Sequence, residues 1–131
     1  LEPAQVARQH KERHTGFQTH NRRDDWPMPG LLVDDAGVVC TECAYGGTWG
    51  VVEDAAVRLE RGGQALLIDC ELVQGGVRVS GRSTLILVRC TSKEPIWVEA
   101  GSHVVLLDCD PEKSATIGDG VVVRARTPNA R

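Results

Sequence analysis

Apolar residues along this chain fall in short runs that restart every 19 or 20 positions. Three segments, VRLERGGQALLIDC from Val57, VRVSGRSTLILVRC from Val77 and IWVEAGSHVVLLDC from Ile96, align without a gap over fourteen positions. Each opens on an apolar-x-apolar triplet, crosses a small or polar corner, runs through four apolar residues, and ends on one charged residue followed by Cys. A weaker copy lies upstream in Leu32, Val38, Val39, Glu42 and Cys43, and Val121, Val122 and Val123 begin another. No segment keeps a 3.6-residue apolar spacing over ten residues, so the repeat is not helical. Two short strands per unit, joined by corners bearing Gly and Ser, predict an all-β chain wound as a short parallel β-helix, a solenoid of about four coils in which equivalent residues stack about 4.8 Å apart. Cys43, Cys70, Cys90 and Cys109 are then one inward column, the core ladder.

Strict alternation extends this reading to the faces. With Cys70 inward, Ile68 and Leu66 point inward, and Ala65 and Leu67 point outward. The same count places Leu85, Leu87, Val104 and Leu106 outside. These six residues predict an apolar stripe on the outer wall, an interface for self-association into a closed ring such as a trimer. A fold-back of the N-terminal segment over the stripe is the alternative. The position before each Cys carries Asp69, Arg89 and Asp108, expected outside, where opposite charges in adjacent coils attract and help to fix register.

The repeat resembles the right-handed parallel β-helix superfamily typified by pectate lyases and viral tailspikes, over residues 31 to 125. The resemblance is one of repeat style, and it implies the fold. By the same resemblance, acids with an arginine base, as in acid-sugar lyases, would cast Asp69, Arg89 and Asp108 as a lyase site. Single acids per coil and a short coil stack weigh against that, and no catalytic residue is assigned.

Residues 1–30 differ from the rest: polar, with three of the four histidines, and closed by Pro27-Met28-Pro29-Gly30. They read as an extended arm before a solenoid at 31–125 and a tail at 126–131. Arg13, Phe17, Arg22, Arg23 and Trp26 are the expected docking residues, since a polar arm with a few large apolar side chains orders on a neighbouring surface. His10, His14, Cys40 and Cys43 have the residue types of a zinc site, but Cys43 belongs to the core column and a regular strand would send Cys40 and Cys43 to opposite faces. No metal or cofactor is therefore expected.

Composition narrows the function classes. The chain has 131 residues, too few for separate catalytic and substrate domains. Its net charge of −3 gives no broad attraction to nucleic acid or anionic lipid. No apolar run approaches a membrane span or a secretory signal, and five cysteines, an odd number, point to reduced thiols and a reducing cytoplasm. Walker, dinucleotide and nucleophile-elbow motifs are missing. The expectation is a structural assembly protein rather than an enzyme: a trimeric capsid decoration, cement or spike component of a virion, assembled in the host cytoplasm, with itself and a larger protein particle as partners. A bactofilin-like polymerising scaffold and a carbohydrate-active or carbohydrate-binding β-helix are the alternatives.

Overall fold

The computed structural model describes residues 12–21, 31–46, 56–74 and 76–128. Its strands follow the repeat. The first triplet of each unit forms β4 (Val57–Glu60), β7 (Val77–Val79), β10 (Ile96–Val98) and β12 (Thr116–Ile117). The second apolar run forms β5 (Gln64–Ile68), β8 (Thr84–Val88), β11 (His103–Leu107) and β13 (Val121–Ala125). Upstream, β2 (Leu31–Thr41) spans both runs in one piece, pairing with β4 through Leu31–Asp34 and with β5 through Gly37–Thr41. A third side is built by β3 (Ala44–Gly46), β6 (Glu71–Gln74) and β9 (Thr91–Ser92), and in the next coil a 3-10 turn, η1 (Pro111–Lys113), follows Cys109. Every pairing among the described residues is parallel. The chain is thus a parallel β-solenoid with an almost closed wall.

Inside lie the inward positions of all three sides. On the first side these are Leu31, Val33, Val57, Leu59, Val77, Val79, Ile96 and Val98, each at most 1% exposed. With so few aromatic residues, the narrow interior is filled by aliphatic side chains stacked coil on coil, each worth about 1.5–3 kcal/mol when fully buried. Tyr45, an aromatic exception, is the largest fully buried side chain among the described residues. The corner between the first and second sides admits only small residues, and its column reads Gly63, Ser83, Ser102, Gly120. A Cβ on Gly63 would stand 2.5 Å from the Val33 carbonyl oxygen. Ser83 and Ser102 are buried there, with the Ser83 N–H donating to Ser102 Oγ at 3.2 Å.

The second side corrects the alternation. Ala65, Leu67, Leu85, Leu87, Val104 and Leu106, expected on the outer wall, are core residues at 0–4% exposure. Leu66, Ile68, Ile86, Val88, Val105 and Leu107 are the ones facing out, half-buried. The cause is local. Asp69, Arg89 and Asp108 hold φ of 55°, 52° and 56°, and Glu42 holds 55°. A left-handed residue interrupts the two-residue period of the strand, so the residue before the corner and the one after it, such as Ile68 and Cys70, no longer share a face. Leu67 and Cys70 both point inward. The same corner at Glu42 turns both Cys40 and Cys43 into the core, at 0% and 3% exposure, where a continuous strand would have separated them.

Glu12–Asn21 forms β1, which pairs in parallel with β2 from Glu12↔Leu31 to Asn21↔Thr41. This stretch of the arm is a strand of the solenoid wall. At the other end, the Thr127 N–H donates to Asp108 at 2.7 Å, so the start of the tail is tied to the preceding coil. Among the described residues no helix is long and apolar enough to cross a membrane.

Candidate interaction site

Among the described residues, four features of the solenoid bring chemically capable side chains together. The first is the buried thiol column. Cys43, Cys70, Cys90 and Cys109 are 1–8% exposed, and all five cysteines of the chain are free. Each of the four thiols approaches the carbonyl two residues back: Cys43 to Thr41 at 3.3 Å, Cys70 to Ile68 at 3.4 Å, Cys90 to Val88 at 3.3 Å, Cys109 to Leu107 at 3.5 Å. Cys70, Cys90 and Cys109 also reach a carbonyl of the coil below, those of Cys40, Leu67 and Leu87, at 3.6, 3.1 and 3.5 Å. A small side chain with a weak donor suits a corner where carbonyls turn inward. Hydrogen bonding to Cys70 and burial hold the Cys90 thiol above its ordinary range, which makes it a poor nucleophile. Burial does the same to Tyr45, whose hydroxyl donates to Cys40 Sγ at 3.1 Å.

The second column is charged and runs along the corner after the second side. Arg89 grips Asp69 with two hydrogen bonds, Nε to Oδ1 at 2.8 Å and Nη2 to Oδ2 at 3.1 Å. Asp108 accepts instead from Thr127, through the backbone N–H and the hydroxyl. The hydrogen bonds from Arg89 hold Asp69 below the ordinary carboxylate range, and those from Thr127 do so for Asp108. Arg89 is correspondingly held in its charged form by Asp69, the opposite of what an arginine base requires. A related pair joins Arg61 to Asp34 through two side-chain hydrogen bonds, tying the first corner of one coil to the next.

The third feature is the outer wall of the second side. Its register stacks Val39, Leu66, Ile86, Val105 and Val123 in one column and Thr41, Ile68, Val88, Leu107 and Ala125 in the next. An open hollow of about 220 Å³ is lined there by Gly37, Val39, Gln64, Leu66, Thr84 and Ile86, among others. The wall has one edge of charged corner residues, Asp69, Arg89 and Asp108, and one polar edge, Gln64, Thr84 and His103. The fourth feature, on the first side, is a column of Arg58, Arg78 and Trp97, in which the Arg78 guanidinium lies 5.5 Å from the Trp97 ring centre.

The sequence-derived candidates divide accordingly. The six expected interface residues sit beneath the wall, and their immediate neighbours in sequence form it. Arg13 and Phe17 lie in β1, paired with Leu32 and Gly37; Arg22, Arg23 and Trp26 lie outside the described residues, as does His10. Cys40 and Cys43 are spent on the core, and among the described residues no group of three or more His, Cys, Asp or Glu is placed to hold a metal. Nothing in the apolar pattern marked the true wall residues, because the sign of one φ angle decides which half of each strand faces out. Comparisons with protein-family models, curated proteins and solved structures found no match.

Proposed function

We propose that the chain is a structural assembly protein, a short rigid solenoid that packs sideways against protein surfaces within a larger particle. The observation that carries this is the outer wall of the second side. One apolar column, Val39 to Val123, continues through five strands and a second, Ile68 to Ala125, through four, where a wall facing only solvent would carry polar residues. A capsid decoration, cement or spike component is the setting suggested by the repeat-style resemblance to right-handed viral β-helices, with a trimer as the expected assembly. In this reading β1 belongs to the solenoid body, and attachment to the particle falls to the residues that precede β2, including Arg22, Arg23 and Trp26.

Sedimentation equilibrium of the full chain tests the reading, with a discrete oligomer as the expected result. A monomer at all concentrations would overturn it, since the wall would then be covered within one chain or left unused. Carbohydrate binding is a second reading, favoured by the Arg58, Arg78 and Trp97 column, because a guanidinium stacked on an indole is a surface suited to an anionic sugar. Titration with an acidic oligosaccharide, compared between the wild type and Trp97→Ala, separates the two.

A further inference from the structure

The two edges of the apolar wall differ, and the difference specifies how copies would pack. Three strands of the second side, β5, β8 and β11, each begin with an outward polar residue and are followed, five positions on, by the corner residue of the same coil. The pairs are Gln64 and Asp69, Thr84 and Arg89, His103 and Asp108. Because both members belong to one strand and its corner, they stand at the same height on the solenoid axis, on opposite edges of the wall.

We infer that copies of this chain pack wall to wall with their solenoid axes parallel, around a common rotation axis along the solenoid. This rests on the structural-assembly reading above and assigns its geometry. Rotation about an axis parallel to the solenoid brings the edge of Asp69, Arg89 and Asp108 in one copy against the edge of Gln64, Thr84 and His103 in the next at equal height. Gln64 then meets Asp69, Thr84 meets Arg89 and His103 meets Asp108. Each is a donor facing an acceptor: an amide N–H to a carboxylate, a guanidinium to a hydroxyl oxygen, an imidazole N–H to a carboxylate. The carboxylates keep acceptor capacity for this, since an ionised carboxyl offers about four lone-pair sites and only the Arg89 or Thr127 hydrogen bonds are engaged here.

An antiparallel arrangement fares worse. A twofold axis across the wall sets charged edge against charged edge with heights reversed, so that Arg89 meets Arg89 and Asp69 meets Asp108 when the middle coils coincide. Size argues in the same direction. Five strands of five residues present about 400 Å² of wall, against about 800 Å² per partner in a standard stable interface. The edges must therefore take part, and only parallel packing makes them complementary.

Engineered cross-links read the orientation. Gln64 and Asp69 are separated by a full strand within one chain, too far for an internal disulfide, so a covalent bond between cysteines at these positions must join two copies. The chain carrying Gln64→Cys and Asp69→Cys, oxidised mildly and run under denaturing conditions, is expected to shift most of the protein to covalent oligomers. A mixture of the two single variants should yield the same cross-link, which guards against misfolding of the double variant. The chain carrying Asp69→Cys and Asp108→Cys should stay monomeric on the gel. Cross-linking of the latter with none of the former would overturn the parallel packing while leaving self-association intact. A wild type that sediments as a monomer would overturn both readings at once.

Discussion

At each corner after the second side, one non-glycine residue sits at φ near +50°, and the residue types there, Glu42, Asp69, Arg89 and Asp108, share only polarity. Left-handed backbone is tolerable for a polar unbranched side chain and adverse for a β-branched one. Arg89→Val should therefore lower the denaturation midpoint well below that of Arg89→Gly, by about 1–3 kcal/mol in unfolding free energy. Equal midpoints would show that the corner exerts no conformational selection. The glycine variant loses only the solvent-exposed pair with Asp69, which water and salt screen. The carboxylates at the same corners set the acid response. Asp69 and Asp108 are both held below their ordinary values in the fold, so the stability they contribute is fully present above the unfolded-state value near 4 and is lost as pH falls through the lower folded values. Thermal unfolding at pH 7 and pH 3 should show a larger drop for the wild type than for the chain carrying Asp69→Asn and Asp108→Asn. An equal drop in both would assign acid sensitivity to other groups.

Within an element the consequence is an exchange of faces. In β8, Leu87 is 1% exposed while Val88 beside it is half-buried on the wall. Leu87→Asp places a charge among Leu67 and Leu106 at a cost of several kcal/mol and should unfold the chain. Val88→Asp should keep the circular dichroism of the parent and lose its association. The reverse outcome would restore strict alternation. The edge element β1 is equally open to test. It pairs along nearly the whole of β2, so removing residues 1–21 leaves one edge of an eleven-residue strand unpaired, while β4 and β5 still hold the other. The truncated chain should unfold at a lower denaturant concentration and scatter more light; an unchanged midpoint would mean that β2 is edge enough by itself.

For the whole molecule, the side chains of β13 bear on whether coils can continue from one copy into the next. The inward column of the second side reads Cys40, Leu67, Leu87, Leu106 and then Arg124. Arg124 donates to the Ser114 carbonyl at 2.6 Å and to Ser114 Oγ at 3.1 Å, closing the core with a hydrogen-bonded cation. Terminal units of solenoids carry polar faces for this reason, since stacking another copy would bury the charge. Arg124→Leu should convert the end into an apolar strand edge and give growing, end-to-end species in dynamic light scattering. If its size distribution matches the wild type, some other feature blocks axial growth.

The sequence by itself determined the winding of the chain. A 19–20-residue beat with two short apolar runs leaves a parallel solenoid as the arrangement that stacks like on like, and it marked the thiol column and the small-residue corners, because those positions recur in the same place in every unit. It did not determine which face of the second side is inside. Leu66 and Leu67 are chemically alike, and alternation from Cys70 selects between them only if no residue between turns left-handed; Asp69, Arg89 and Asp108 do. Nor did composition show that Glu12–Asn21 is a strand, since its polar residues carry little apolar pattern and its pairing with β2 comes from the main-chain edge that the coil above presents. Tertiary structure decided both points, because backbone hydrogen bonds between coils and closure of the core are set by residues far apart in the chain, and a local pattern of side chains does not contain them.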